Sequence, residues 1–339
     1  MWPVGAVVLG DCILVPQTGP MQRGHVAERQ HPAATRTWTT DRPCPAAAIL
    51  GTLRRGAGDP SFQLDADGAI WRATLTPTGP ATVRIEARPG AGEVVTTAWG
   101  AGAEWALDRL PATLGADDRP DGFAPEHPVI VQAQRRHPHL RVPKTGLVYE
   151  SLVPAIIEQK VTGQEAWAGW RRLLWRYGAE APGPGADRGL RIVPAPAVLA
   201  AIPSWDWLRC GIDPARSQSL VRAARVADSL EKTVDLPGSE ADRRLRSLPG
   251  VGVWTSAEVR QRAHGDADAV SFHDYHVARD IGWALTGAAV DDAELAALLE
   301  PYRPHRYRVQ RLLELTGARH PRRGPRMAPR THLPGYRRL

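Results

Sequence analysis

Hydrophobic positions change period partway along the chain. From about Trp38 to Gly100 they alternate with polar ones. Trp71, Ala73 and Leu75 fall on one strand face, and Val83, Ile85 and Ala87 alternate with Arg84, Glu86 and Arg88. A period of two with one wet face predicts antiparallel strands packed on one side. Pro77-Thr78-Gly79-Pro80 joins these two runs as a hairpin, Asp65-Ala66-Asp67-Gly68 makes an earlier turn, and Glu93 to Trp99 gives another strand. Ala103 to Leu110 reads as a helix. Residues 37–118 are therefore expected to form a small antiparallel sheet with one or two helices on one face, to which no chemistry is assigned. Residues 1–36 show no period and read as a disordered or mis-started extension, with Met21 as an alternative start. Pro111 to Pro128, rich in Pro, Gly and Asp, is the expected linker.

Past the linker the apolar spacing becomes three to four, so residues 119–318 read as an all-α domain and the fold class as α+β. Leu152, Val153, Ile156 and Ile157 share a helix face, with Pro154 in a first turn or at a kink. Ala166, Trp167, Trp170, Leu173, Leu174 and Tyr177 follow on an amphipathic helix stopped by Gly178, and its tryptophans are expected in the core. Shorter helices follow: Pro196 to Ala201, Trp205 to Cys210 capped by Ser204, and one opened by Asp213-Pro214 and running to about Glu231. Another spans Ser239 to Ser247, with Ser239 as cap and Asp242 as a weak capping box. Then come Trp254 to about Ala263, Tyr275 to Leu285, an Asp291-capped helix to about Glu300, and a last one from Pro304 to Leu315.

Charge changes the picture only at one end. The net charge is +7 over 339 residues, yet seven arginines and no acid lie between Arg319 and Leu339, so residues 1–318 are balanced. Residues 319–339 read as a flexible basic tail, either idle or adding salt-dependent DNA affinity. Cys12, Cys44 and Cys210 have no ligand spacing, which argues against structural zinc, an iron–sulfur cluster or a disulfide scaffold. The apolar start from Met1 to Val15 is short, carries Asp11 and lacks a basic lead, so neither a signal peptide nor a membrane span is read there, and a cytoplasmic, nucleoid-associated place is expected.

The most specific stretch is Leu248-Pro249-Gly250-Val251-Gly252-Val253-Trp254-Thr255. Pro249 ends one helix, and Gly250 and Gly252 open a tight turn before the next. Free backbone N–H groups at such a helix start bind an anion, and a nucleic-acid phosphate fits without base preference. A helix-helix turn with no ligand is the plain alternative. Asp274-Tyr275 follows, with Asp274 twenty residues after Trp254.

These two motifs at this interval resemble the helix-hairpin-helix (HhH-GPD) DNA glycosylase superfamily, and within it bacterial 3-methyladenine DNA glycosylase II. The resemblance extends more weakly from about residue 40 to about residue 317, and the sheet region resembles the amino-terminal domain of that group. It implies that Asp274 is the catalytic carboxylate, stabilising an oxocarbenium-like sugar and orienting water. Asp274 as a helix N-cap is the plain reading, and both can hold together. Trp254 is the implied aromatic face for a flipped, often cationic base, or else a core tryptophan. Tyr275 is implied beside them. Members that also cut the strand carry a lysine in the slot of Trp254; no lysine follows Lys232, so a monofunctional enzyme is expected.

The resemblance also implies DNA contacts from Gly250, Val251, Gly252, Val253 and Thr255, and from a turn containing Gln159, Lys160 and Thr162. Lys160 takes the position of the wedge that fills the gap left by the base, where an apolar residue is usual. It wedges, binds phosphate, leaves the gap to Gln159, or is a plain surface lysine. Glu258 stands where close relatives carry an aromatic residue. It either lines the pocket, meeting an exocyclic amine or a cationic base, or is a salt-bridged helix residue. The carbonyls of Leu248 and Val251 are implied ligands of a monovalent cation; no other cofactor is expected. The expected partner is double-stranded DNA carrying a damaged base, met by a monomer with no membrane contact. The leading expectation is excision of alkylated bases, with another lesion class, oxidised or bulky, or a non-catalytic damage-binding module as alternatives.

Overall fold

The computed structural model describes residues 33–40, 42–88 and 91–321. The extension before residue 33 and the tail beyond residue 321 lie outside the described residues. Five strands, β1 (Ala34–Thr39), β2 (Phe62–Leu64), β3 (Ile70–Thr76), β4 (Gly79–Arg88) and β5 (Glu93–Trp99), form one antiparallel sheet in the order β1-β5-β4-β3-β2. β1 begins at Ala34, three residues inside the stretch read as an aperiodic lead, where Ala34↔Ala98 pairing with β5 orders it. Helix α1 (Ala46–Leu50) precedes β2, and α2 (Ala103–Thr113) follows β5.

The wet face expected of this sheet is covered. Register pairs Ile70 with Ile85 and Trp71 with Arg84, so the apolar stripe of β3 (Trp71, Ala73, Leu75) points away from the stripe of β4 (Val83, Ile85). Residues directly opposite across a ladder share a face, so the sheet presents apolar groups on both sides. One side packs Ile70, Val83, Ile85, Val94 and Ala98 against Leu50, Leu107 and Leu110. The other puts Trp71 and Ala73 into the core of the helical region with Leu152, Ile156, Trp170 and Leu174. Trp71 stacks on Trp99 at 5.7 Å between ring centroids.

The helices after the sheet are α3 (Pro128–Arg136), α4 (Val148–Ile157), α5 (Gly163–Tyr177), α6 (Pro184–Asp187), α7 (Pro196–Ala200), α8 (Ser204–Arg209), α9 (Pro214–Arg225), α10 (Ala227–Glu231), α11 (Gly238–Arg246), α12 (Val253–Val259), α13 (Val277–Thr286), α14 (Asp292–Leu299) and α15 (Arg306–Thr316). Pro154 lies inside α4 and Pro111 inside α2, which extends into the expected linker. The rest of that linker is pinned: Asp118 accepts from Val142 N at 3.0 Å and pairs with Arg308 at 2.5 Å, both side chains buried. Asp213 and Asp291 cap α9 and α14 as read. Ser204 and Ser239 do not cap; each falls inside its helix, because the extended Pro203 and Pro237 start the helices earlier. The helix read from Asp213 to Glu231 breaks at Val226 into α9 and α10. Trp170 is core and donates to Asp59 Oδ1 at 2.9 Å, but Trp167 is 40% exposed and lies over Gly56 instead.

Candidate active site

The hairpin between α11 and α12 uses its two glycines differently. Gly250 has φ +94°, and a Cβ there would sit 2.0 Å from Ser219 Oγ, so fold geometry demands the glycine. Gly252 is extended and exposed, and a Cβ there would meet nothing within 4 Å. Its bare backbone is not required by packing and opens to solvent just before α12. Val251 between them is buried in the core, Val253 is half-buried, and Val251 N–H donates to Leu248 O at 3.0 Å. One lone pair of that carbonyl is thereby committed, which leaves one that would face the implied monovalent cation.

The turn after α4 is clamped onto this hairpin. Gln159 Nε2 donates to Gly250 O at 2.9 Å and to Thr255 Oγ1 at 2.8 Å. Thr162 is the N-cap of α5, in a capping box with Glu165. Lys160 is exposed with φ +54°, projecting from the turn that Gln159 and Thr162 hold.

Trp254 and Asp274 meet. Trp254 Nε1 donates to Asp274 Oδ2 at 3.0 Å, and both residues are half-buried. Asp274 Oδ1 accepts from His276 N at 2.7 Å and Val277 N at 3.2 Å, at the start of α13. The carboxylate is thus oriented by three N–H donors, two of them from the chain entering α13, whose N-cap position is His276 rather than Asp274. Tyr275 points elsewhere: it is 69% exposed, under the Arg279 guanidinium, whose Nη1 donates to its hydroxyl at 3.0 Å. His273 pairs with Asp292.

Glu258, one turn after Trp254, is buried and fully engaged. Ser271 Oγ donates to its Oε1 at 2.7 Å, and Arg262 Nη1 lies 2.8 Å from its Oε2. Arg262 also donates to Glu258 O at 2.8 Å and to Thr52 O at 2.9 Å. Sequence reasoning missed the neighbour of this pair. Glu158, the residue after α4, lies with Oε1 3.1 Å from Arg55 Nε. Burial pushes its carboxyl up; Arg55 opposes this, Glu258 adds to it, Arg262 opposes it and Asp274 adds a little. The i, i+4 spacing of Glu258 and Arg262 was a visible signal of their pairing. Nothing local marks Arg55, about a hundred residues upstream of Glu158.

Solved structures that share this fold include the following three. The 3-methyladenine DNA glycosylase from Archaeoglobus fulgidus superposes with a TM-score of 0.68 at 15% identity, covering 83% of this chain and 98% of its own. The 8-oxoguanine glycosylase/lyase of Clostridium acetobutylicum in its apo form gives 0.62 at 12% identity, covering 84% and 96%. The same enzyme with double-stranded DNA containing cytosine opposite 8-oxoguanine gives 0.61 at 14%, covering 79% and 89%. No protein-family model matches the sequence, and no curated protein matches it. The chain shares the α+β fold of these glycosylase structures. Among the described residues no helix is long and apolar enough to cross a membrane, and no group of three or more His, Cys, Asp or Glu is placed to hold a metal ion.

Proposed function

We propose that this protein is a monofunctional DNA glycosylase that releases alkylated, 3-methyladenine-type bases from double-stranded DNA. The observation that carries the reading is the contact of Asp274 with Trp254, on the helix that leaves the open glycine turn. A phosphate bound at Gly252 anchors the strand, and the damaged nucleotide turns out toward Trp254 and Asp274 at a cost of a few kcal/mol of unstacking. Asp274, held by its three N–H donors, stabilises positive charge growing on the sugar as the C1′–N bond breaks, and guides water to C1′. The indole face of Trp254 favours a cationic base by about 0.5–2 kcal/mol. With Trp254 where a lysine nucleophile would stand, no Schiff base forms, and the product is an abasic site. The protein acts as a monomer in the cytoplasm, at the nucleoid.

Asp274→Asn tests this on methylated duplex DNA. Base release falls by about 100-fold or more, the scale of losing one aimed electrostatic group, while duplex affinity stays within threefold. A wild-type protein that grips the duplex but frees no base is a binding module instead.

A further inference from the structure

We infer that Asp292, the first residue of α14, is a positioning residue for Asp274: it locks His273 in a left-handed backbone turn and so fixes where the Asp274 carboxylate stands. This rests on the glycosylase reading above.

His273 has φ +67°, a state that among the described non-glycine residues only Lys160 shares. A left-handed backbone strains an L-residue and persists only where its surroundings impose it. His273 is exposed, so core packing does not impose it. Asp292 does. Its Oδ1 accepts the His273 backbone N–H at 3.1 Å, and its Oδ2 lies 3.0 Å from His273 Nδ1. A carboxylate that grips one residue at backbone and ring together leaves it little freedom to turn.

The turn matters because of what lies on either side. Upstream the chain is anchored. Ser271 is buried, its N–H donates to Gln310 Oε1 at 3.1 Å, and its hydroxyl donates to Glu258 Oε1 at 2.7 Å. Phe272 packs against the core that α3, α13, α14 and α15 share. Downstream stands Asp274, whose Oδ2 accepts the Trp254 indole N–H. The His273 backbone is therefore the joint between a fixed Ser271-Phe272 pair and the candidate catalyst. Rotation out of the left-handed region carries Asp274 off its line to Trp254.

Asp292 is not needed to cap its own helix. Asp291 is the N-cap of α14, in a capping box with Glu294, and Leu295 and Leu299 bury the helix in the core. Both oxygens of Asp292 meet His273. An acid in the first turn also favours the helix dipole, but Glu294 lies in the same turn and does so too. A hydrogen bond to a carboxylate and the strain of a left-handed residue are comparable in energy, so loss of the first lets most molecules escape the second.

The test measures single-turnover base release and duplex affinity on methylated duplex DNA, with melting curves to check folding. Asp292→Ala slows release about tenfold, while affinity stays within about threefold because the hairpin is untouched. Asp292→Asn, whose amide oxygen still accepts the His273 N–H, releases base within about threefold of the wild-type rate. Adding His273→Gly to Asp292→Ala restores most of the rate, because glycine adopts positive φ without a clamp. A role in helix stability alone gives no such rescue. His273→Val with Asp292 intact also slows release about tenfold or more, since a β-branched residue resists this backbone state; it decides the matter if Asp292→Ala does not fold. A wild-type rate in Asp292→Ala, a loss that His273→Gly leaves unrestored, or normal release by His273→Val overturns the positioning role alone. A wild type that binds the duplex and frees no base removes the glycosylase reading, and this role with it.

Discussion

The two hairpin glycines are expected to fail in opposite ways when given a methyl group. Gly250→Ala forces an L-residue to φ +94°, a backbone state that costs roughly 1–3 kcal/mol. Its Cβ would lie 2.0 Å from Ser219 Oγ and 2.9 Å from Ser219 Cβ. Ser219 is buried on α9 and donates to Ala215 O at 3.0 Å, so it cannot step aside freely. Overpacking of that kind adds about 1–3 kcal/mol. The combined loss of about 2–6 kcal/mol, at about 2 °C per kcal/mol for a chain of this size, lowers Tm by about 4–12 °C. Gly252→Ala meets no atom within 4 Å at φ −96°, so Tm moves by about 1 °C at most, upward through lower unfolded-state entropy. The new methyl stands on the open side, where it displaces a phosphate from the N–H groups, and hydrogen bonds to charged groups are worth about 1.5–3 kcal/mol. Duplex affinity at fixed salt drops about tenfold or more. Scanning fluorimetry and duplex-binding titrations on the two variants give both numbers. Wild-type duplex affinity in Gly252→Ala refutes the phosphate turn, and an unchanged Tm in Gly250→Ala refutes the backbone argument.

Two further outcomes follow from the same contacts. Trp254→Phe keeps the aromatic face but removes the N–H that holds Asp274 Oδ2, so kcat falls about 10–100-fold with KM nearly constant; a loss in KM alone shows that the indole N–H does not orient the catalyst. His264 is half-buried, with Nε2 3.1 Å from Thr233 Oγ1, and burial first, then Arg260, pulls its pKa down to about 4. The folded state therefore prefers the neutral ring, so its contribution is full above the unfolded value near 6.5 and is lost as pH falls toward 4, by up to about 3 kcal/mol. Urea titrations at several pH values show that slope in the wild type and its absence in His264→Gln.

Much of the candidate site was legible because its pieces are local. The Pro-Gly-x-Gly turn, the helix after it and the aspartate twenty residues on are short-range signals, and the fold joins Trp254 to Asp274 by one hydrogen bond. The strands from Ile70 to Trp99 were legible for the same reason, since each hairpin is written in its own residues. What the chain order hid was register. The stripes of β3 and β4 look alike as sequence, and only the pairing of Trp71 with Arg84 reveals that they face opposite ways. Trp167 misled because an amphipathic period marks a face without stating how far it extends; the helix buries Trp170 and Leu174 and leaves Trp167 at the margin, over a glycine.

The buried charges explain why the amino-terminal region is more than an accessory layer. Glu258 is saturated by Ser271 and Arg262, and Arg262 continues to the carbonyl of Thr52, between β1 and β2. A buried ion pair is costly unless every lone pair and proton is matched, and here Glu258 is matched at both oxygens. The same segment supplies Arg55 to Glu158, with Asp59 holding the Arg55 backbone N–H at 2.6 Å. The chain between β1 and β2 therefore helps fix two arginines against the buried and half-buried carboxylates Glu258 and Glu158. The aromatic residue expected at position 258 is replaced by one end of this strut, so the side of α12 beside Trp254 is polar and rigid rather than flat and apolar. The strut ties the helix that carries Trp254 to the chain between β1 and β2.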